Sequence, residues 1–588
     1  MATQVYDGIE LADAIINSDD QVTEAFAAKT KEFLNEEGGM FSSHSIPKTV
    51  FEALKSGHKE EWVKAMGEEL NAHIKNGTWI LVPIASLPKG KKVVGSTWAF
   101  DLKRTVKGLI ERYKARLCAQ GFSQREGEDF IHTYSNTVSY DTLRLVLALA
   151  AMHDLELTSL DIKTAYLNGF IEEGFDIYML PPRGFRFNGK DSFEFAGHSA
   201  ADPRYACKLV RSIYGLKQSG RRWEARLVSE LIKLGCIRCI IDPCLWKYVK
   251  GDALVMITIY VDDIVMATNS RKLRDELVRK LKELFDVRNE GPLTWLFGTA
   301  IDQDITKGTV SIHQTLYIDE VVRAFGTKDL RKQRVVPSIE EALHLMPLPE
   351  DQPRNENYRS LLGKLLWIAI ISRPDISFAV VYLTRFGTCA GDLHLSHAVR
   401  IVDYLAATRN KKITYRRIAR KRLYEHLVEN TEGLPDLQGH TILFSDASHG
   451  GEKPMAGWTA IEADGPIGWA AFRERTTPIS SCEGEYVAAT KATIAGLAFK
   501  QTKRFLGFEV LDPIYLFCDN KAAVQLSESA TNSKRLKHVA TRIAFLREFV
   551  ESNEIKLIHI KGTGQIADLF TKPLSPDKFH PLRSFFVE

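Results

Sequence analysis

Seven carboxylates in this chain stand where they could do chemistry together. Asp262 and Asp263 are adjacent, and Asp161 lies about a hundred residues before them. Neighbouring carboxylates repel and resist desolvation, so a buried turn favours them only when something positive sits against them. A divalent cation is the natural candidate. Three acids delivered by two strands could converge on two ions, the arrangement that activates a hydroxyl and neutralises a leaving pyrophosphate in nucleotidyl transfer. The plain alternative is a solvated Asp-Asp turn, since Asp is a common turn residue. The C-terminal part carries a second set, Asp446, Glu485, Asp519 and Asp568. Four acids at strand ends and helix starts suit two cations that position water for in-line attack on a phosphate.

The elements that must position these acids are legible as periodicities. Leu254–Tyr260 and Ile264–Ala267 are β-branched-rich apolar runs that predict a hairpin with Asp262 and Asp263 at its tip. A helix is expected over Thr142–His153, and the strand after it, from Leu157, delivers Asp161 near its end. Further upstream, Glu61–Leu70 has helical spacing and Thr78–Val82 reads as a strand. Val93–Leu102 and Tyr113–Ala119 form a hairpin about a Lys107-Gly108 turn. That hairpin carries Lys103, Arg104, Lys107, Arg112, Lys114 and Arg116, which suit phosphate contact or make a solvated basic face. In the C-terminal part, strands over Thr441–Ser445, Ile514–Cys518 and Ile555–Ile560 alternate with a helix over Glu483–Leu506.

At 588 residues the chain has room for roughly three or four domains. Its 45% hydrophobic content is that of a folded protein, and a formal net charge of +4 is permissive of a polyanionic partner without requiring one. Eight scattered cysteines show no disulfide framework, which fits a reducing compartment. Cys236, Cys239 and Cys244 resemble the start of a zinc knuckle, but they lack a spaced fourth ligand and read as small core residues. No run approaches the ~18 apolar residues that span a bilayer, and no secretory leader is evident, so a soluble intracellular protein is expected. Residues 1–55 carry no chemistry, with a helical possibility at Val22–Leu34. Arg409–Arg422 packs eight basic residues into fourteen, either a phosphodiester-binding segment or a solvated helix face.

The landmarks Glu61-Trp62, Thr78-Trp79, Arg112–Leu117, Asp161–Gly169, Tyr214-Gly215-Leu216-Lys217-Gln218, Tyr260-Val261-Asp262-Asp263, Ser372–Ile376 and Ala567–Leu574 occur in one order. Together they resemble the reverse transcriptase and ribonuclease H region of copia-type LTR retrotransposon polyproteins, from about Trp62 to Leu574. The resemblance implies an α+β right-hand polymerase with fingers, palm and thumb, followed by an α/β ribonuclease H-like domain. It divides the chain into an N-terminal extension (1–55), fingers and palm (56–340), thumb and connection (341–440) and ribonuclease H-like domain (441–588). The implied activity is RNA-directed DNA polymerisation with cleavage of the RNA of an RNA–DNA hybrid.

The same resemblance assigns Asp161, Asp262 and Asp263, and then Asp446, Glu485, Asp519 and Asp568, as catalytic acids and ligands of two Mg²⁺ ions per site, with Mn²⁺ as a substitute. Lys114 and Arg116 match a triphosphate-binding region, Gln218 a nucleotide contact, and Tyr166 the aromatic plate that excludes a ribose 2′-OH by clash. The implied partners are an RNA template, a DNA primer, the RNA–DNA hybrid and dNTPs, with no membrane. The implied location is cytoplasmic, in a virus-like particle, or nuclear. The chain departs from the family at Gly484, usually Ala, at Ser448–Gly457, at Trp469–Pro478 and in a long Arg186–Ala206 insertion. Glu485 is preferred to Glu483 as the motif's second acid, Glu483 reading as a helix N-terminal charge. Other readings are a remnant that binds nucleic acid without catalysis, its cleft blocked by the insertion, and a ribonuclease H with a polymerase-like structural body.

Overall fold

The computed structural model describes residues 46–104, 110–187, 193–197, 201–327, 334–419, 421–448, 454–474, 481–528 and 540–588. The helix expected at Val22–Leu34 and the Lys107-Gly108 turn lie outside them.

The first module is built around the helix Lys59–Lys75, whose buried Trp62, Ala65, Met66 and Leu70 recur at helical spacing. That stripe packs on a long antiparallel hairpin, Ser96–Arg104 with Ile110–Ala119. The expected first strand is broken at Gly95, where a Cβ would meet the Gln120 side chain at 2.1 Å. Trp62 stands edge-on to Phe100 and Tyr113, with centroids 5.2 and 4.8 Å away. A four-stranded sheet, including Trp79–Pro83 and Tyr205–Leu209, completes this fingers region. The described parts of the 186–206 insertion root there: the hairpin Phe185–Phe187 with Phe193–Phe195 puts Phe185, Phe193 and Phe195 into the same apolar cluster.

The palm is a six-stranded antiparallel sheet in the order Ile237–Arg238, Leu245–Lys250, Ala253–Tyr260, Asp263–Thr268, Glu156–Ile162 and Val287–Pro292. The helices Ser219–Lys233 and Arg271–Leu284 supply apolar stripes to one cluster with it, Leu273, Leu277, Val278 and Leu281 coming from the second. The helix Tyr140–Met152 is capped by Ser139 and buried along nearly its whole length. A helix buried on all sides is held between layers, and Arg144 shows which. Its Nε donates to the Ile467 carbonyl at 3.0 Å, its Nη1 to the Ile370 carbonyl at 2.8 Å, and its guanidinium lies 3.9 Å from the Trp469 ring centroid. One side chain thus joins palm, connection and C-terminal domain.

The strand Trp295–Leu296 ends there because Phe297 and Gly298 take positive φ and turn the chain into the strand Thr299–Asp304. The apolar stretch Tyr358–Phe386 is two helices, Glu356–Ile371 and Ser377–Leu383. Between them lies a fully buried ion pair, Arg373 with Asp375 at 2.7 Å, and Tyr404 donates to the same carboxylate at 2.5 Å.

The basic run 409–422 is largely committed within the molecule. Ile413–Arg416 is the edge strand of a four-stranded sheet. Arg409 pairs with Asp319 at 3.4 Å, Arg416 with Asp464 at 3.6 Å and also with Glu588, and Arg417 with Asp154. Arg422 donates to the carbonyls of Ser584 and Pro581. Arg416 and Arg422 fasten the C-terminal tail, while Arg409, Arg417 and Arg422 remain exposed to solvent, and the segment is a strand over Ile413–Arg416 rather than one helix face.

The C-terminal domain has a five-stranded sheet in the order Gly465–Arg473, Met455–Glu462, Ile442–Ala447, Ile514–Cys518 and Ile555–His559. The first three strands are antiparallel and the last two are parallel to Ile442–Ala447, with the helix Ser481–Leu506 packed on them. That topology is ribonuclease H-like, and the chain as a whole is an α+β polymerase body followed by this domain. No helix among the described residues is long and apolar enough to cross a membrane.

Two candidate carboxylate centres

The palm centre is made by strand register. Asp263 is the direct antiparallel partner of Asp161, so the two side chains share a face of the sheet. Tyr260 pairs with Asp263, leaving Val261 and Asp262 as a two-residue hairpin loop. The Ile162 N–H donates to the Asp262 carbonyl at 2.9 Å, which ties the loop to the Asp161 strand. Such loops favour glycine at the first central position, yet Val261 holds φ +56° there. A β-branched residue with positive φ is an outlier that its surroundings must enforce. All three acids are partly exposed.

Tyr166 lies in the turn Ala165–Asn168 beside this loop, its backbone carbonyl receiving the Ser212 hydroxyl at 2.5 Å. Burial raises the Tyr166 pKa, and the negative charge of Asp262 raises it further. Its ring stands edge-on to Tyr214 at 4.9 Å, and the Arg116 guanidinium lies 5.4 Å from the Tyr214 ring centroid. Fingers and palm therefore meet along Arg116, Tyr214, Tyr166 and Asp262. Lys114 sits two residues from Arg116, on the same face of its strand. Gln218 is buried at the start of the helix Ser219–Lys233. Its amide accepts from Gln124 at 3.1 Å and donates to the Asp129 carbonyl at 3.0 Å, so it braces the fingers-palm corner.

The C-terminal centre is tighter. Asp446 lies next to the end of its strand at 1% exposure, Glu485 lies in the first turns of the helix Ser481–Leu506 at 4%, Asp519 follows its strand, and Asp568 sits in the turn Ile566–Phe570. Single oxygens of Asp446, Asp519 and Asp568 all lie within 4.8 Å of one another, as do ligand atoms of Glu485, Cys518 and Asp519. Among the described residues these are the only such groups of three, and the palm trio is not one. Gly457, opposite Asp446, makes the packing possible, since a Cβ there would meet Phe570 Cβ at 2.4 Å.

The electrostatics match the crowding. Burial, then Asp446 and Asp519, push Glu485 up to about 9. Burial and Asp446 push Asp568 up to about 7, against the opposing pull of Lys572, and Asp519 is raised by the same two causes. Lys572 supplies the cation of the cluster, at 2.7 Å from Asp568 and 3.5 Å from Asp446. Thr571 donates to the Asp446 carboxylate, and Ala447 N–H to Glu485 at 3.4 Å. Crowded acids, with Glu485, Asp519 and Asp568 held above their ordinary pKa values, beside one lysine form a donor set that fits divalent cations.

Glu483 takes no part in this cluster. It faces Glu474, whose carboxyl is raised to about 7 by burial and by Glu483. Gly484 is explained by the same contact: an alanine Cβ there would stand 2.8 Å from the Glu474 oxygen. Cys236, Cys239 and Cys244 are buried, Cys239 and Cys236 within the apolar clusters. Lys572 and Cys518 had no role in the sequence reading. The four-residue spacing of Asp568 and Lys572 could have suggested the first, whereas nothing local marks the second.

The family described as Reverse transcriptase (RNA-dependent DNA polymerase) matches residues 76–339. The Retrovirus-related Pol polyprotein from transposon TNT 1-94 of Nicotiana tabacum is 29% identical over 92% of this chain and 39% of its own length. The Retrovirus-related Pol polyprotein from transposon RE1 of Arabidopsis thaliana is 31% identical over 92% of this chain and 34% of its own length. The chain thus spans little more than a third of these relatives. A foamy viral protease-reverse transcriptase structure aligns over 85% of this chain and 69% of its own, at 13% identity and a TM-score of 0.41.

Proposed function

Because the chain belongs to the reverse transcriptase family of copia-type retrotransposon Pol polyproteins, we propose that it is an RNA-directed DNA polymerase with an attached ribonuclease H. The observation that carries the reading is the register that sets Asp263 opposite Asp161 and ties the Asp262 loop to the same strand. Asp161, Asp262 and Asp263 would hold divalent cations, Mg²⁺ or Mn²⁺, at the palm; Asp446, Glu485, Asp519 and Asp568 would hold them at the second centre. Bound there, such ions supply charge neutralisation and an activated hydroxyl. The remaining work belongs to the chain. Tyr166 is the wall against a ribose 2′-OH, Arg116 and Lys114 present positive charge to a triphosphate, and Gln218 holds the corner where the incoming nucleotide rests. The substrates are a primed RNA or DNA template and dNTPs at the first centre, and the RNA strand of the resulting hybrid at the second.

Primer extension on an RNA template, with Mg²⁺ and dNTPs, beside an Asp262→Asn, Asp263→Asn double variant, tests the first activity. Mg²⁺-dependent synthesis lost in the variant is the expected result. Folded wild type that binds the hybrid without extending it would overturn the reading. Cleavage of labelled RNA in a hybrid, lost on Asp446→Asn, tests the second.

A further inference from the structure

The palm loop holds a strained residue, and one side chain is placed to enforce it. The Trp223 indole N–H donates to the Val261 carbonyl at 2.6 Å. Trp223 is 2% exposed, lies one turn into the helix Ser219–Lys233, and is wedged edge-on against Phe285 at 5.3 Å. Its neighbour Glu224 is itself clamped, accepting from Asn136 N–H at 2.8 Å and from Arg238 at 2.8 Å, so the first turns of the helix are fixed against the sheet. Val261 immediately precedes Asp262, and its positive φ is a conformation that a β-branched residue does not hold by itself. A buried donor on a rigid helix, aimed at the carbonyl of the strained residue, selects one orientation of the following peptide.

The geometry points to Trp223 as a positioning residue for the polymerase centre: through the Val261 carbonyl it holds the hairpin turn in the conformation that presents Asp262. The inference rests on the polymerase reading above. Trp223 is 2% exposed and its N–H is spent on the Val261 carbonyl, so its removal acts through the turn. A group misplaced by a fraction of an ångström loses rate before it loses binding.

The test is Trp223→Phe, which keeps an aromatic ring and deletes the N–H. Three readouts are taken: primer extension against dNTP and Mg²⁺ concentration, hybrid cleavage at the second centre, and hydrogen–deuterium exchange of segment 254–268. The expected result is kcat for extension down about tenfold with KM for dNTP nearly constant, a several-fold higher Mg²⁺ requirement and faster exchange confined to that segment, with hybrid cleavage unchanged. Val261→Gly, which removes the strain, should shrink the effect of Trp223→Phe when the two are combined. Benzothienylalanine at position 223, which keeps the indole's shape and replaces its N–H by sulfur, gives the same readouts should the phenylalanine variant fail to fold. Wild-type kcat, Mg²⁺ dependence and exchange in a folded variant would overturn the inference. An equal fall in both activities would overturn it as well, since that is the mark of a general structural loss. Wild type that extends no primer defeats the polymerase reading instead, and the exchange measurement still decides whether Trp223 holds the turn.

Discussion

The two carboxylate centres are built on opposite plans. In the palm, three partly exposed acids are set by the register of neighbouring strands and by a strained two-residue loop, and they do not form a group within 4.8 Å. In the C-terminal domain, four acids from separate elements converge, Asp446 and Glu485 buried, with ligand atoms within 4.8 Å in two overlapping threes, Asp446 with Asp519 and Asp568 and Glu485 with Cys518 and Asp519, and Lys572 pairs with Asp446 and Asp568. The second centre pays its repulsion in the folded protein and is pre-organised for cations. The first leaves its acids nearer solvent, open to the primer, nucleotide and ions that the proposed function would bring there.

That contrast predicts separable chemistry, and the largest effect comes from cutting each centre alone. Asp262→Asn should lower primer extension by about a thousandfold and leave hybrid cleavage intact, and Asp446→Asn the reverse. Loss of both activities in either variant would show that the centres are not independent.

The next effect is on stability and concerns the C-terminal centre. Folding raises Glu485 from 4.5 to about 9 and Asp568 from 3.8 to about 7. The folded state therefore holds protons that the unfolded chain has released, so stability is highest below the unfolded pKa values and is lost as pH rises through the folded ones. Without divalent ions the melting temperature should fall between about pH 5 and pH 9, as stability drops by a total on the order of a few kcal/mol. Mg²⁺ should flatten the slope by replacing the protons, and Glu485→Gln should flatten it without Mg²⁺. A melting temperature that rises over this range in the metal-free protein would contradict the crowded-acid description.

A third effect tests whether the two plans share one body. Arg144→Met strips donors from the Ile467 and Ile370 carbonyls and should destabilise the chain by about 3 kcal/mol. Calorimetry should then resolve two transitions where the wild type shows one. The smallest effect sharpens the palm side: Tyr166→Ala, beside Asp262, should improve use of ribonucleotides relative to deoxynucleotides by about tenfold, with hybrid cleavage unchanged. Equal discrimination in wild type and variant would leave Tyr166 a packing residue.

The seven acids were legible because each sits where a period ends: the apolar run Leu254–Tyr260 stops at the Asp pair, Ile514–Cys518 at Asp519, and Ile442–Ala447 carries Asp446 near its end. The elements themselves were legible for the same reason, and the helix observed at Tyr140–Met152 lies within two residues of its expected bounds. The basic run 409–422 was not resolved by its sequence, because a charge's partner is chosen by tertiary neighbours: Asp154, Asp319, Asp464 and Glu588 come from four distant places. Trp223 was invisible for a similar reason, since a tryptophan at helical spacing reads as core whether or not its N–H reaches a carbonyl 38 residues away.

By itself, then, the sequence determined which residues carry negative charge at strand ends, and in what order the strands and helices follow, because periodicity and side-chain chemistry are local. Only the tertiary structure decided that Asp161 faces Asp263, that Cys518 lies beside Glu485 and Asp519, and that Lys572 pairs with both Asp446 and Asp568. Those are distances between segments up to more than a hundred residues apart, set by strand register and by packing that no local pattern encodes.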